Sequence, residues 1–238
     1  MLVEISDLEM SRYAPPFGRD SLLNQCRKVA DVIFSENNSS ESLLKEIELT
    51  GTFLYYGKTG TGKTTTAFEI IRYVESKYGV TPYRVDVSSI ITSRLGDTVK
   101  NFESVFTDIR ENSNNNGALI LLDEFDRFVV NRDSDVEISE LKRSLLSMMD
   151  FFSSIQWSDK LFLIAITNHI ESIDPALRRR FSFIEEISST KDEVKDYYKS
   201  KKDFFESHCL TLPEEVVSDC LTIAELKQEI RKVYLESI

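Results

Sequence analysis

Short, fully apolar runs alternate along this chain with longer stretches in which apolar positions recur every three or four residues. Phe53-Leu54-Tyr55-Tyr56, Ala118-Leu119-Ile120-Leu121-Leu122 and Leu161-Phe162-Leu163-Ile164-Ala165-Ile166 are unbroken apolar blocks. Blocks of this length, bounded by polar turns, predict strands covered on both faces, as in a parallel sheet. Tyr83 to Val87 alternates apolar with polar and predicts a further strand, and Ile184 to Ile187 a last one. Between them the period changes. Leu22, Leu23, Cys26, Val29, Ala30 and Ile33 share one helical face, which predicts a helix from Ser21 to Phe34, capped near Asp20. Helices are expected from Thr65 to just before Gly79, from about Thr98 to Arg110, and from Leu141 to Phe152. The run Asn112 to Gly117 should break the second of these.

Strands alternating with helices imply an α/β fold, a parallel sheet with helices on both faces. Before it, residues 1–20 contain Pro15-Pro16-Phe17-Gly18 and read as an irregular arm, and Ser35 to Ser40 as a polar connector. From about Ser189 the apolar blocks cease and charged helical patterns take over, suggesting a small C-terminal helical lid. The expected organisation is an arm and helix over 1–50, an α/β domain over 51–188 and a lid over 189–238.

The chain of 238 residues can bury a substantial core. No apolar run approaches the ~20 residues of a membrane helix. The start, Met1 to Asp7, lacks the layout of a signal peptide. Cys26, Cys209 and Cys220 are odd in number and not spaced for zinc, which fits reduced thiols in a cytoplasmic protein. His169 and His208 are too isolated for a metal cluster. A formal net charge of -11 disfavours a protein that wraps nucleic acid, although a local basic patch would be compatible with it.

The chemistry concentrates at strand ends. Gly57-Lys58-Thr59-Gly60-Thr61-Gly62-Lys63-Thr64, between the first apolar block and its helix, is a complete P-loop, which predicts binding of a nucleoside triphosphate with magnesium. The glycines let backbone N–H groups, continuing to Thr65, surround phosphate oxygens. Lys63 would reach the β- and γ-phosphates, and the Thr64 hydroxyl would ligate Mg²⁺. Asp123-Glu124 follows the 118–122 block, sixty residues after Lys63. Asp123 could hold Mg²⁺, and Glu124 could take a proton from the attacking water. Thr167-Asn168 ends the next block, where the Asn168 amide could position that water without adding charge. Arg178-Arg179-Arg180 offer planar, permanent charge to a γ-phosphate. They lie too far along the chain to fold back obviously onto the same P-loop, so action on a neighbouring subunit is expected.

Together these motifs resemble the AAA+ ATPases, in particular the AAA group that includes katanin, spastin and the membrane-scaffold disassembly ATPases. The resemblance runs from about Ser21 to the C-terminus. Leu54 to Thr64 is similar to that family's strand and Walker A, and Leu119 to Glu124 to Walker B. Ala165 to His169 is similar to sensor 1, and Ile173 to Phe181 to the arginine-finger box, with Arg179 and Arg180 matching the pair that acts in trans. The resemblance implies ATP hydrolysis in a homo-oligomeric ring, commonly of six, that remodels or disassembles a protein partner. It also exposes departures. Ser89 to Thr98 resembles the substrate-gripping pore loop but carries Arg94 where an aromatic residue is usual. Thr222 to Leu226 resembles the small-residue lid motif, with Leu226, Ile230 and Val233 expected as lid core. Outside the ATPase module only the arm of roughly fifty residues is at hand, so either it or a separate protein would select the substrate. Two other readings are a nucleic-acid-associated ATPase, such as a helicase loader or transposition regulator, and a small-molecule phosphotransferase. The second leaves Asn168 and the arginine box without a role.

Overall fold

The computed structural model describes residues 1–35, 41–86, 90, 97–128, 135–208 and 210–236. Arg94, most of the 89–98 segment, the 36–40 connector and Cys209 lie outside the described residues. In chain order the elements are β1 (Leu2–Glu4), α1 (Asp7–Ser11), α2 (Asp20–Phe34), α3 (Glu41–Glu46), β2 (Gly51–Tyr56), α4 (Lys63–Tyr78), β3 (Pro82–Val85), α5 (Asp97–Asn116), β4 (Ala118–Leu122) and α6 (Asp135–Ser154). There follow β5 (Leu161–Thr167), α7 (Pro175–Arg178), β6 (Phe183–Glu186), α8 (Lys191–Ser200), α9 (Lys202–Ser207), α10 (Glu214–Asp219) and α11 (Ile223–Glu236).

Among the described residues, six strands form one sheet in the order β1-β3-β4-β5-β2-β6, all parallel except the edge strand β1. The apolar blocks are unbroken because both faces are covered. Leu54, Ile120, Leu122, Leu163 and Ala165 point to one side, where they join Phe102, Phe106 and Ile109 of α5 and Met148, Phe151 and Phe152 of α6. The alternate residues Phe53, Tyr55, Leu119, Leu121, Phe162 and Ile164 point to the other side, against α2 and α4. A third apolar cluster joins Val194, Phe205, Leu212, Val217, Leu226 and Ile230 of the C-terminal helices and their connections. Leu226 is fully buried and Val233 packs at this cluster's margin, as their spacing predicts. No helix among the described residues is long and apolar enough to cross a membrane.

The structure differs from the sequence reading in places. Residues 1–20 are not irregular throughout. Leu2 pairs with Val85 and Glu4 with Tyr83, so β1 closes the sheet's edge, and Ser6 caps α1 by accepting from the Glu9 N–H at 3.3 Å. A three-residue strand is too short for alternation to reveal. Helix α5 continues through Asn116 and stops at Gly117, whose φ of 92° suits a glycine. Each polar residue in that last stretch costs a helix no more than about 0.7 kcal/mol, which the preceding turns can carry. Helix α2 has Arg19, not Asp20, at its N-cap, with no side-chain cap bond.

One polar cluster fastens α2 to α4. Asp31 Oδ1 accepts from Tyr73 at 2.7 Å, Tyr78 at 2.5 Å and Lys77 at 2.8 Å. Burial pushes the Asp31 carboxyl up, but these donors outweigh it and hold the group below its ordinary value. A depressed carboxyl stabilises the fold above its unfolded pKa of ~3.9, and that contribution is lost as pH falls through the folded value. Asp31→Asn should therefore cost about 1 kcal/mol at pH 7. Denaturant unfolding of both proteins checks this, and their gap should narrow below about pH 4.

Candidate active site

Every strand that carries a candidate residue ends at the same edge of the sheet. Tyr56 pairs with Thr167 and Leu122 with Ala165, so Gly57, Asn168 and Asp123 emerge side by side. The carboxyl ends of parallel strands are where α/β sheets bind ligands.

Strand β2 enters the P-loop at Gly57, with φ of 144°, and a Cβ there would lie 2.3 Å from the Ile187 carbonyl oxygen. No side chain fits that position. Gly60 and Gly62 are left-handed at 85° and 93°, and the loop turns directly into the sixteen-residue helix α4. Thr61 donates to the Lys58 carbonyl at 2.9 Å, while the Thr66 N–H and hydroxyl both donate to the Gly62 carbonyl at 2.8 Å. Lys63 is buried, and its Nζ donates to the carbonyls of Gly57 and Lys58, each at 2.8 Å. Burial lowers its pKa, opposed by the charges of Asp123 and Asp126. The loop is thus already closed around an ammonium group and lines an open space.

Across that space stands Asp123. Burial raises its carboxyl above the usual range, and Glu124's charge adds to the rise. The Glu124 N–H, Arg84 and Lys63 pull the other way. That N–H donates to Asp123 Oδ1 at 2.8 Å. Glu124 is exposed and has a left-handed backbone, with φ of 53°. For a non-glycine residue this conformation costs about 1–2 kcal/mol, and such strain gathers where side chains must be aimed. Thr59, Gly60, Lys63, Thr64 and Thr65 share a cleft of about 300 Å³ with Asp123, Glu124 and Asn168.

Sequence reasoning passed over Asp126. Its Oδ1 accepts from the Thr167 hydroxyl at 2.8 Å and from the Asn168 N–H at 3.4 Å, joining the turn after β4 to the end of β5. The available signal was a third acid three residues after Asp123.

Arg179 and Arg180 do not join this cleft. Both are exposed. They precede Ser182, which exchanges hydrogen bonds with Thr50 and Thr52 at the opposite end of β2. The four steps from Thr52 to Tyr56 span roughly 13 Å at strand rise, beyond the reach of either arginine toward its own P-loop.

Residues 53–189 match the family model described as "ATPase family associated with various cellular activities (AAA)". An uncharacterized AAA family ATPase of Sinorhizobium fredii is 36% identical over 54% of this chain and 36% of its own length. A 26S proteasome regulatory subunit 8 homolog of Encephalitozoon cuniculi is 27% identical over 75% of this chain and 44% of its own. The chain therefore spans less than half the length of these relatives. A chain in the structure of the E. coli MS115-1 HORMA:CdnC:Trip13 complex superposes with a TM-score of 0.72 at 17% identity, over 92% of this chain and 78% of that one, a likeness of fold. With the family model spanning more than half of its residues, this chain belongs to the AAA family.

Proposed function

We propose that this chain is an ATPase that works with Mg²⁺ in a homo-oligomeric ring, of six subunits by the family pattern, and uses hydrolysis to remodel or disassemble a protein partner. The observation that supports this most is a division of the machinery between two edges of one sheet. Lys63, Thr64, Asp123, Glu124 and Asn168 line one cleft, while Arg179 and Arg180 are exposed at the far edge. An arginine needed at a γ-phosphate but turned away from its own is supplied to a neighbour's.

Within a subunit the roles divide by chemistry. Backbone N–H groups of Gly57 to Thr65 bind phosphate oxygens, and Lys63 exchanges its two carbonyl partners for the β- and γ-phosphates. The Thr64 hydroxyl and the Asp123 carboxylate are hard oxygen donors lining one cleft, a set that suits Mg²⁺ beside phosphate and water. Bound there, Mg²⁺ would neutralise charge on the phosphates. Glu124 accepts the proton of the attacking water, and Asn168, steadied through Asp126, orients that water. Thr61 and Lys58 hold the loop in shape.

A protein partner is favoured by acidity, since a net charge of -11 repels nucleic acid. It is favoured too by relatives named as proteasome regulatory subunits. Cys26 and Cys220, both free and buried, suit the reducing cytoplasm.

Subunit mixing tests the ring. An Arg179→Ala/Arg180→Ala chain and a Lys63→Ala chain should each be inactive alone and recover part of the activity when co-assembled, because some interfaces then pair an intact P-loop with intact arginines. Specific activity should rise with protein concentration until assembly is complete. Absence of rescue in heteromers proven by mass would mean that the arginines act in cis or only support structure.

A further inference from the structure

Three consecutive residues of the N-terminal segment seat on one face of helix α8. Phe17 packs edge-on against Tyr197, with ring centroids 5.5 Å apart. Gly18, at φ of 71°, brings its backbone so close that a Cβ would lie 2.9 Å from Glu193 Oε1. Arg19 then grips Glu193, with Nη1 at 2.6 Å from Oε1 and Nη2 at 3.5 Å from Oε2, while Nη2 also donates to the Ser188 carbonyl. The two side chains are only 13% and 24% exposed, so solvent screens the pair less than a surface one. Glu193 also shapes its own helix, because its carboxylate accepts from the Thr190 N–H at 3.2 Å and completes the capping box of α8.

These contacts lie on a physical path to the phosphate loop. The Ile187 N–H donates to the Tyr56 carbonyl at 2.7 Å, and Ile187 fills the space that a side chain at Gly57 would need. From there the chain runs into α8, whose Val194 is buried in one cluster with Leu226 of α11. At the start of α11, Ala224 and Thr222 stand over Gly60, 3.2 and 3.5 Å from where its Cβ would be.

We infer that the Arg19–Glu193 pair is a clasp that seats the C-terminal helices against the P-loop, so that nucleotide affinity is set in part by the segment preceding α2. Arg19 is a positioning residue, acting through α8 and α11 on Gly57 and Gly60. The inference rests on the P-loop reading above. A loosened clasp lets α11 swing from the loop before nucleotide binds, and binding must then restore the seated arrangement. The groups that carry out the chemistry are untouched, so the effect falls on KM and not on kcat.

The experiment measures binding of a fluorescent ADP analogue and steady-state ATPase kinetics for the wild type, Arg19→Gln, Glu193→Gln, the double variant, Arg19→Lys and Lys63→Ala. Glutamine at 193 keeps an acceptor for the α8 cap. Each single glutamine variant should bind about tenfold more weakly, the scale of losing hydrogen bonds to a charged group. Values of kcat should stay within about twofold. The double variant should be no worse than either single, since both break one interaction. Arg19→Lys, which keeps the charge, should lie between wild type and Arg19→Gln. Wild-type affinity in both single variants, or losses that add in the double, would overturn the clasp. Binding that survives Lys63→Ala undiminished would instead overturn the P-loop reading, whatever Arg19 does.

Discussion

Lys63→Ala is expected to bring ATP turnover below detection and to weaken nucleotide binding by roughly a hundredfold or more. The second figure follows from losing hydrogen bonds to charged phosphates worth about 1.5–3 kcal/mol each, at 1.4 kcal/mol per factor of ten. The ammonium lies buried among loop carbonyls, with two bonds at 2.8 Å. It is costly to hold there without an anion, and burial already depresses its pKa. Its removal should therefore leave the fold intact, with the Gly57 and Lys58 carbonyls free to meet water. Circular dichroism and thermal unfolding check that half of the expectation, and titration with a fluorescent nucleotide checks the other. Turnover at the wild-type rate in folded Lys63→Ala protein would remove the P-loop from the mechanism. Lys63→Arg is a stricter test. It keeps the charge but replaces a compact ammonium with a planar fork that the closed loop cannot accommodate, so it too should be inactive.

The sequence announced this half of the site because its parts are consecutive. A strand, a glycine-rich loop and a helix follow one another from Gly51 to Tyr78, and each leaves its own local pattern. Asp123 and Glu124 were legible for a related reason. A fully apolar block marks a central strand, and the residues after it must lie at the sheet's edge with the P-loop. What stayed hidden depends on contacts distant in sequence. β1 is identifiable only by its pairing with β3, some eighty residues later. Asp126 matters through Thr167 and Asn168, whose positions nothing local to Asp126 specifies. Arg19 looks like any charge before a helix until Glu193 is placed beside it, 174 residues on. The far-edge location of Arg179 and Arg180 lies between these cases. Their distance along the chain hinted at separation from the P-loop, and the register of β6 on β2 gives it a scale.

Glu124→Gln should separate binding from hydrolysis. The amide keeps the size and left-handed backbone tolerance of the original side chain closely enough that the turn after β4 should survive. Its N–H bond to Asp123 Oδ1 is made by the backbone and is unaffected by the substitution. The amide cannot accept a proton, so turnover should fall by on the order of 10²–10⁴, the usual contribution of a positioned general base. ATP affinity should remain within a few-fold of wild type or tighten, because a negative charge facing the γ-phosphate has gone. Asp123→Asn gives the contrast: weakening a metal ligand should raise the Mg²⁺ concentration needed for half-maximal binding of ATP, which Glu124→Gln should not do. A pre-steady-state measurement with radiolabelled ATP resolves the step directly, since the Glu124→Gln protein should accumulate bound, uncleaved ATP. If that protein instead fails to bind ATP, or shows the Mg²⁺ dependence expected of Asp123→Asn, then Glu124 holds structure or metal and the base must be sought elsewhere in the cleft.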